Sequence, residues 1–311
     1  VDEPPASATI TESGLKCEDL PPTPEPFGWQ DSIEDPNKII NTFFFDPSDP
    51  NKIIYMVNGD LSGYNKVFFY NVPSKQTTYV CTPGKYAPQI NSKGWLTFSD
   101  VENNIFIIKG HKDSIVQLTN DKRSHDPEWD YTGNYIYYYA EPLLTISPKL
   151  KKIDTKGNVV GGLDAEMPYF ACFKKSERLI TFETNNSICK LKLRDVGSPA
   201  NDRVLISGPL YSKPGQINFD DLTLDNTDEN FYWSNSNGIF RCNIASLKVD
   251  TVFKNCPNLI YINPVVSYKT NELTYCVQTI TPINSIRLLR QFKTMNLNVA
   301  TGEIYEIKIT F

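Results

Sequence analysis

The chain has 311 residues, of which 40% are hydrophobic and 22% charged, which is ordinary for a globular protein and too apolar for wholesale disorder. The length allows one large domain or two ordinary ones. A net charge of −5 without a basic stripe argues against nucleic acid as a partner, because phosphates call for a clustered basic surface. The closest basic run is Lys149, Lys151 and Lys152, which is expected on a solvated strand or turn.

No apolar stretch approaches the roughly 18–20 residues that span a bilayer, so no transmembrane span is expected. Seventeen Tyr and seventeen Phe against three Met favour sheet over helix, since aromatic side chains fit a pleated surface.

From the start, "VDEPPASATITESG" and then "PPTPEPFG" are Pro-rich and acidic. Residues 1–26 are predicted to be a flexible tether, followed by a single domain over 27–311. The chain opens on Val1, and the expectation is a leader removed upstream, with room for a lipid anchor there. Such a tether suits an exported protein, although a disordered cytosolic tail has the same composition.

A repeat begins with "FDPSDPNKIIYMV" at Phe45 and recurs as "INSKGWLTFSD" at Ile90 and "WDYTGNYIYYY" at Trp129. It continues with "CFKKSERLITFET" at Cys172, "LDNTDENFYWSN" at Leu224 and "VSYKTNELTYCVQ" at Val266. Each copy has one apolar anchor, a polar turn, and then an apolar β-rich run. The anchors are spaced by 45, 39, 43, 52 and 42 residues, near the 40–45 of a propeller blade. Two more strand candidates separated by a turn follow in each unit, as in "KVFFYNVPSKQTTYVCT" and "KLKKIDTKGNVVGG". The expected fold is all-β: a six-bladed β-propeller with four antiparallel strands per blade, the blades starting near 40, 86, 125, 167, 216 and 261. The anchors are expected to end the innermost strands and to pack between neighbouring sheets, which makes Trp129 a core residue. How the ring closes is open: segment 27–43 either adds a strand to the last blade or packs outside it.

"DPEWDYTGNYIYYY" and the preceding "IVQLT" (115–119) resemble the TolB-like propeller repeat, whose family form is P-x-W-S-P-D-G-x-x-I-x-[FY] followed by a strand and "QLT". "FDPSDPNKIIY" keeps the aromatic, a Pro and the apolar run; the other copies are degenerate, and none keeps the full S-P-D-G turn. The resemblance covers about residues 40–311. It implies a six-bladed propeller, often exported to the bacterial periplasm, that binds protein partners or gates the active site of prolyl-oligopeptidase-type enzymes. The family's partner-contact residues have no motif here onto which they map.

Seven cysteines occur without a C-x-x-C pair, and only His111 and His125 offer imidazole, so neither a metal site nor a cofactor is expected. The cysteines are expected to be free and buried in strands, with one disulfide open if the protein is exported. No G-x-S-x-G elbow, phosphate loop, H-E-x-x-H or sialidase-type S-x-D-x-G-x-T-W turn is found, and no catalytic residue is assigned. No peptidase sequence follows Phe311 in this chain, and the prolyl-oligopeptidase activity is not expected of it. His125 is weighed as a channel-mouth switch with Asp126, against the preferred role of a loop residue bonded to backbone. His111 is expected in an exposed hairpin turn. Asn185-Asn186-Ser187 matches the glycosylation pattern and carries no further weight.

Where inter-blade loops converge, Lys85, Tyr86, Arg123, His125, Asp126, Tyr211, Lys213 and Tyr261 are the candidate ligand-binding residues at the channel mouth. The function expected is that of a non-enzymatic binding or scaffold propeller, a monomer at the periplasm or cell surface, recognising a protein or glycan partner through that face. The alternative is a carbohydrate-active enzyme, a polysaccharide lyase or glycoside hydrolase, with its site at the channel mouth.

Overall fold

The computed structural model describes residues 40–57, 65–71, 73–84, 87–110, 114–141, 149–163, 170–185, 188–196, 198–209, 222–235, 237–256, 259–266, 272–282, 288–299, 301–302 and 304–307. The proposed tether and His111 lie outside them.

Among the described residues, twenty-four strands form six separate four-stranded antiparallel sheets, each built from four strands in chain order. Blade 1 is β1 (Ile40–Phe45), β2 (Lys52–Val57), β3 (Lys66–Asn71) and β4 (Gln76–Cys81). Blade 2 is β5 (Gln89–Ile90), β6 (Leu96–Ser99), β7 (Ile105–Ile108) and β8 (Ile115–Gln117). Blade 3 is β9 (Ser124–Trp129), β10 (Tyr135–Ala140), β11 (Lys149–Asp154) and β12 (Val159–Leu163). Blade 4 is β13 (Phe170–Cys172), β14 (Arg178–Asn185), β15 (Ile188–Asp195) and β16 (Arg203–Pro209), with a short 3-10 turn at Pro199–Asn201. Blade 5 is β17 (Thr223–Leu224), β18 (Asn230–Asn235), β19 (Gly238–Asn243) and β20 (Val249–Lys254). Blade 6 is β21 (Leu259–Val266), β22 (Glu272–Pro282), β23 (Leu288–Asn298) and β24 (Ile304–Ile307).

All six anchors are the last residues of the innermost strands. Ile90, Trp129, Cys172, Leu224 and Val266 are buried, each against the preceding blade. Trp129, for example, packs with Ile105 and Ile107 of blade 2 and lies edge-on to Trp95, ring centroids 6.4 Å apart. The residue before each anchor points the other way, as the period of two in a strand demands: Phe44 and Ala171 join the clusters shared with the following blade. The second strand of a blade is covered on both sides, so it reads as a continuous apolar run. Ile136, Tyr137, Tyr138, Tyr139 and Ala140 of β10 are all buried for this reason.

The polar turn after each anchor has a mechanical cause. Asp46, Asn91, Asp130 and Asp225 fold their side chains back onto the turn. Asn91 Oδ1 accepts the N–H groups of Lys93 and Trp95, both at 3.0 Å. Asp130 Oδ1 accepts those of Asn134 and Tyr135 at 3.2 and 3.1 Å, and Asp225 Oδ1 those of Thr227 and Glu229 at 3.2 and 3.0 Å. The turns also lock blade to blade. Gly133, with φ of 63°, holds its backbone against Asn91, whose Nδ2 donates to the Gly133 carbonyl at 3.2 Å. At Gly94, with φ of 74°, a Cβ would lie 2.2 Å from Ser48 Oγ and 2.4 Å from Asp46 Oδ1. The glycine of the repeat is therefore required both by its backbone angle and by the turn of the preceding blade.

The ring closes by side-chain packing between first and last blades, each complete in itself. Strand β1 lies against β21, β22 and β23, and Val265 packs into the cluster that contains Phe44 and Met56. Residues 40–43 belong to the innermost strand of blade 1 and not to the last blade.

Candidate ligand-binding face at the third blade

The innermost strands start on one face of the disc and run to the polar turns on the other. The starting face carries the loops that link successive blades. There the segment from Leu118 to Arg123 meets the turn of blade 2 at Asp100–Asn104. Ser124 N–H donates to the Asn103 carbonyl at 2.8 Å, and Lys122 N–H to Asn104 Oδ1 at 3.0 Å. Asp121 accepts the Arg123 N–H at 3.1 Å and the Ser124 hydroxyl at 2.8 Å. On the other side, Glu141 N–H donates to the Arg123 carbonyl at 2.9 Å. The Arg123 backbone is thus held on both sides. Its half-buried guanidinium has no hydrogen-bond or ion-pair partner among the described residues.

Next in the strand, a β-bulge sets the chemistry. Asp126 adopts a φ of 53°, and the pairing of β9 with β10 slips between Tyr137 and Tyr139. His125 pairs with Tyr139 and Glu128 with Tyr137. Residues three apart on a regular strand would face opposite ways; the extra residue turns both His125 and Glu128 toward blade 4. His125 is 5% exposed, tilted against the Tyr139 ring, with Nε2 at 3.4 Å from Glu141 Oε1. It is buried in β9 and faces a carboxylate, where a loop position was expected.

Glu128 was given no role from the sequence, yet it joins the two blades. Its Oε2 accepts the backbone N–H of Cys172 at 2.7 Å, satisfying an amide of the innermost strand of blade 4. Glu128 keeps some solvent contact, but protein packs around its carboxyl, and this desolvation raises its pKa against the opposing pull of Lys174. Burial and the Glu128 charge push the Cys172 thiol well above its ordinary range. Tyr137 and Tyr139 are raised too, chiefly by burial. A thiol held protonated is a poor nucleophile, so the pair joins blades and does not resemble an activated Cys. The signal in the sequence was the second carboxylate of "SHDPEW", one residue before the anchor.

Of the candidate residues, the structure brings together Arg123, His125 and Asp126, with Asp121 and Glu141 beside them. Lys85, Tyr86, Tyr211 and Lys213 lie outside the described residues. Tyr261 is not on the rim: it is 2% exposed in β21, stacked on Phe253 at 4.8 Å and packed against Tyr275. The strand starts at Leu259, two residues before it, so what read as loop is core. Cys81, Cys172, Cys242 and Cys276 are buried and outside any disulfide, whereas Cys256 is disulfide-bonded, the alternative that the sequence left open. Among the described residues no group of three or more His, Cys, Asp or Glu is placed to hold a metal ion, and no helix is long and apolar enough to cross a membrane.

Solved structures resemble this architecture at low sequence identity. TolB from Acinetobacter baumannii superposes with a TM-score of 0.51 at 12% identity, over 68% of this chain and 53% of that one. A putative TolB from Agrobacterium tumefaciens gives 0.57 at 10% identity, over 78% of this chain and 87% of that one. The fold is that of the TolB-like six-bladed propellers. An acylaminoacyl peptidase from Pyrococcus horikoshii gives 0.52 at 11% identity, covering 87% of this chain and 46% of the peptidase. The chain thus spans about half of the A. baumannii TolB and of the peptidase. No protein-family model and no curated protein matches the sequence.

Proposed function

We propose that this TolB-like propeller is a non-enzymatic binding or scaffold protein that recognises a protein or glycan partner through the loop face at the start of the third blade. The observation that carries the reading is Arg123: a cation fixed by backbone bonds on both sides, beside Asp121, Asp126 and Glu141, with its guanidinium unengaged among the described residues. A planar donor fork held on a rigid scaffold suits a carboxylate of a peptide or an acidic sugar. His125 and Glu141 add a hydrogen-bonding edge beside it. Lys85, Tyr86, Tyr211 and Lys213 are proposed for the same rim.

The protein is proposed to act as a monomer at the periplasm or cell surface, with residues 1–26 as a tether and a lipid anchor upstream of them. The Cys256 disulfide supports an oxidising compartment, and the TolB-like fold supports partner binding. Affinity capture from envelope extracts and a glycan array test the reading. Wild-type chain should retain a partner that the Arg123→Glu variant, equally folded, loses; equal recovery by both removes the loop face from the function.

Glu128 favours a second reading, a carbohydrate-active enzyme, because a raised carboxyl can serve as a general acid. Turnover of a polysaccharide panel that Glu128→Gln abolishes would establish it.

A further inference from the structure

The outermost strands of the blades are guarded unequally. An edge strand leaves one row of N–H and C=O groups unpaired, and charged side chains or Pro ordinarily keep other strands away. Strand β16 carries Arg203, and β20 carries Asp250 and Lys254, whereas β4 and β8 carry neither charge nor Pro. Strand β12 reads Val159-Val160-Gly161-Gly162-Leu163, with neither charge nor Pro. Val159 and Val160 are 57% and 51% exposed, and a Cβ on Gly161 would meet nothing within 4 Å. In its sheet β12 is hydrogen-bonded to β11 alone.

We propose that the open edge of β12 docks an extended acidic segment of a partner protein, which joins the third blade as an additional strand. Charge chooses the occupant. In register, Lys151 of β11 stands opposite Gly162, and Lys152 opposite Gly161. Lys152 turns toward blade 4 and is ion-paired with Glu177. Lys151, on the other face of the sheet, has no ion-pair partner among the described residues. Gly162 puts no side chain between Lys151 and a strand added outside β12. At roughly 4.8 Å per strand, the flexible lysine stem crosses the glycine toward an acidic side chain beyond it. Lys149 and Lys156 add positive charge at the two ends of the same hairpin. A second copy of this chain, pairing β12 with β12, would gather these lysines on one new sheet, where like charges oppose association. A strand alternating Glu with β-branched residues satisfies the backbone edge and the lysines together.

The test uses a labelled peptide alternating Glu and Val, and a control in which Lys replaces Glu. Binding is followed by anisotropy, and the contact is located by hydrogen exchange. The acidic peptide should bind saturably and protect the amides of Val159–Leu163, while the basic peptide should not bind. Lys151→Glu should weaken the acidic peptide about tenfold and admit the basic one, since it removes an attraction and adds a repulsion. Lys151→Gln should fall between, and it serves if the reversal fails to fold. Absence of saturable binding, protection confined to other strands, or a concentration-dependent dimer protected at β12 without peptide overturns the proposal. Lys151 stands in β11, two strands outward of the innermost strand that follows Arg123, so its variants should leave partner capture by Arg123 unchanged, and the two surfaces fail or stand separately.

Discussion

Asp228 in the turn of blade 5 accepts the backbone N–H groups of Lys174 and Lys175 in the turn of blade 4, at 2.7 and 2.8 Å. Blade 4 has Phe173 where blades 1, 2, 3 and 5 have Asp46, Asn91, Asp130 and Asp225, so its turn lacks a carboxylate or amide at that position. Asp228 occupies the position held by Gly94 and Gly133 in blades 2 and 3, with φ of 62°. The carboxylate that caps the blade 4 turn thus comes from across the blade boundary, from a position that is glycine in blades 2 and 3.

Removing that carboxylate should be felt in stability. Asp228→Gly keeps the left-handed backbone and loses the two bonds, and it is expected to cost about 1–2 kcal/mol in urea unfolding. Asp228→Ala loses the bonds and also strains the backbone, and should cost about 1 kcal/mol more. Equal stability of wild type and both variants would show that water replaces the carboxylate without loss.

Glu128 should leave a signature in pH. Its folded pKa is raised, whereas the unfolded value is near 4.3, so the folded chain takes up this proton at the higher pH. Stability contributed by the neutral form is present below the unfolded value and is lost as pH rises through the raised one. Glu128→Gln, which retains an acceptor for the Cys172 N–H, removes this dependence. The melting-temperature difference, variant minus wild type, should therefore shrink as pH falls from neutral toward about 4.3. A difference constant over that range contradicts the assignment.

Trp129 packs between blades 2 and 3 and should behave as core. Trp129→Ala is expected to cost about 3–5 kcal/mol and Trp129→Phe much less. Binding of a loop-face partner should survive in the folded Phe variant; its loss would place the indole in recognition instead.

The thiols are separable by reactivity. Under non-reducing denaturation, Cys81, Cys172, Cys242 and Cys276 should alkylate directly, and the Cys256 peptide should be recovered only after reduction. Alkylation of the native protein should be slow at Cys172, whose thiol is buried and held protonated.

The blades were legible because inter-blade packing needs an apolar residue at one fixed place, and Ile90, Trp129, Cys172, Leu224 and Val266 supply it whatever their chemistry. Glu128 was not legible. A period-two strand assigns it to the face opposite His125, and only the bulge at Asp126 brings both to blade 4. Tyr261 was misplaced because Pro257 and Pro264 flank it like a loop, whereas β21 runs through the second proline with a shift in register. Asp228 was not legible either, because its partners sit 53 and 54 residues away.

The loop face is tested most directly by photocrosslinking. A benzoylphenylalanine placed at Val101, exposed in the blade 2 turn that meets the Arg123 segment, should capture the partner, and one placed at Tyr131, exposed in the turn on the opposite face, should not. Capture from Tyr131 with none from Val101, or equal capture from both, would contradict recognition at the start of the third blade.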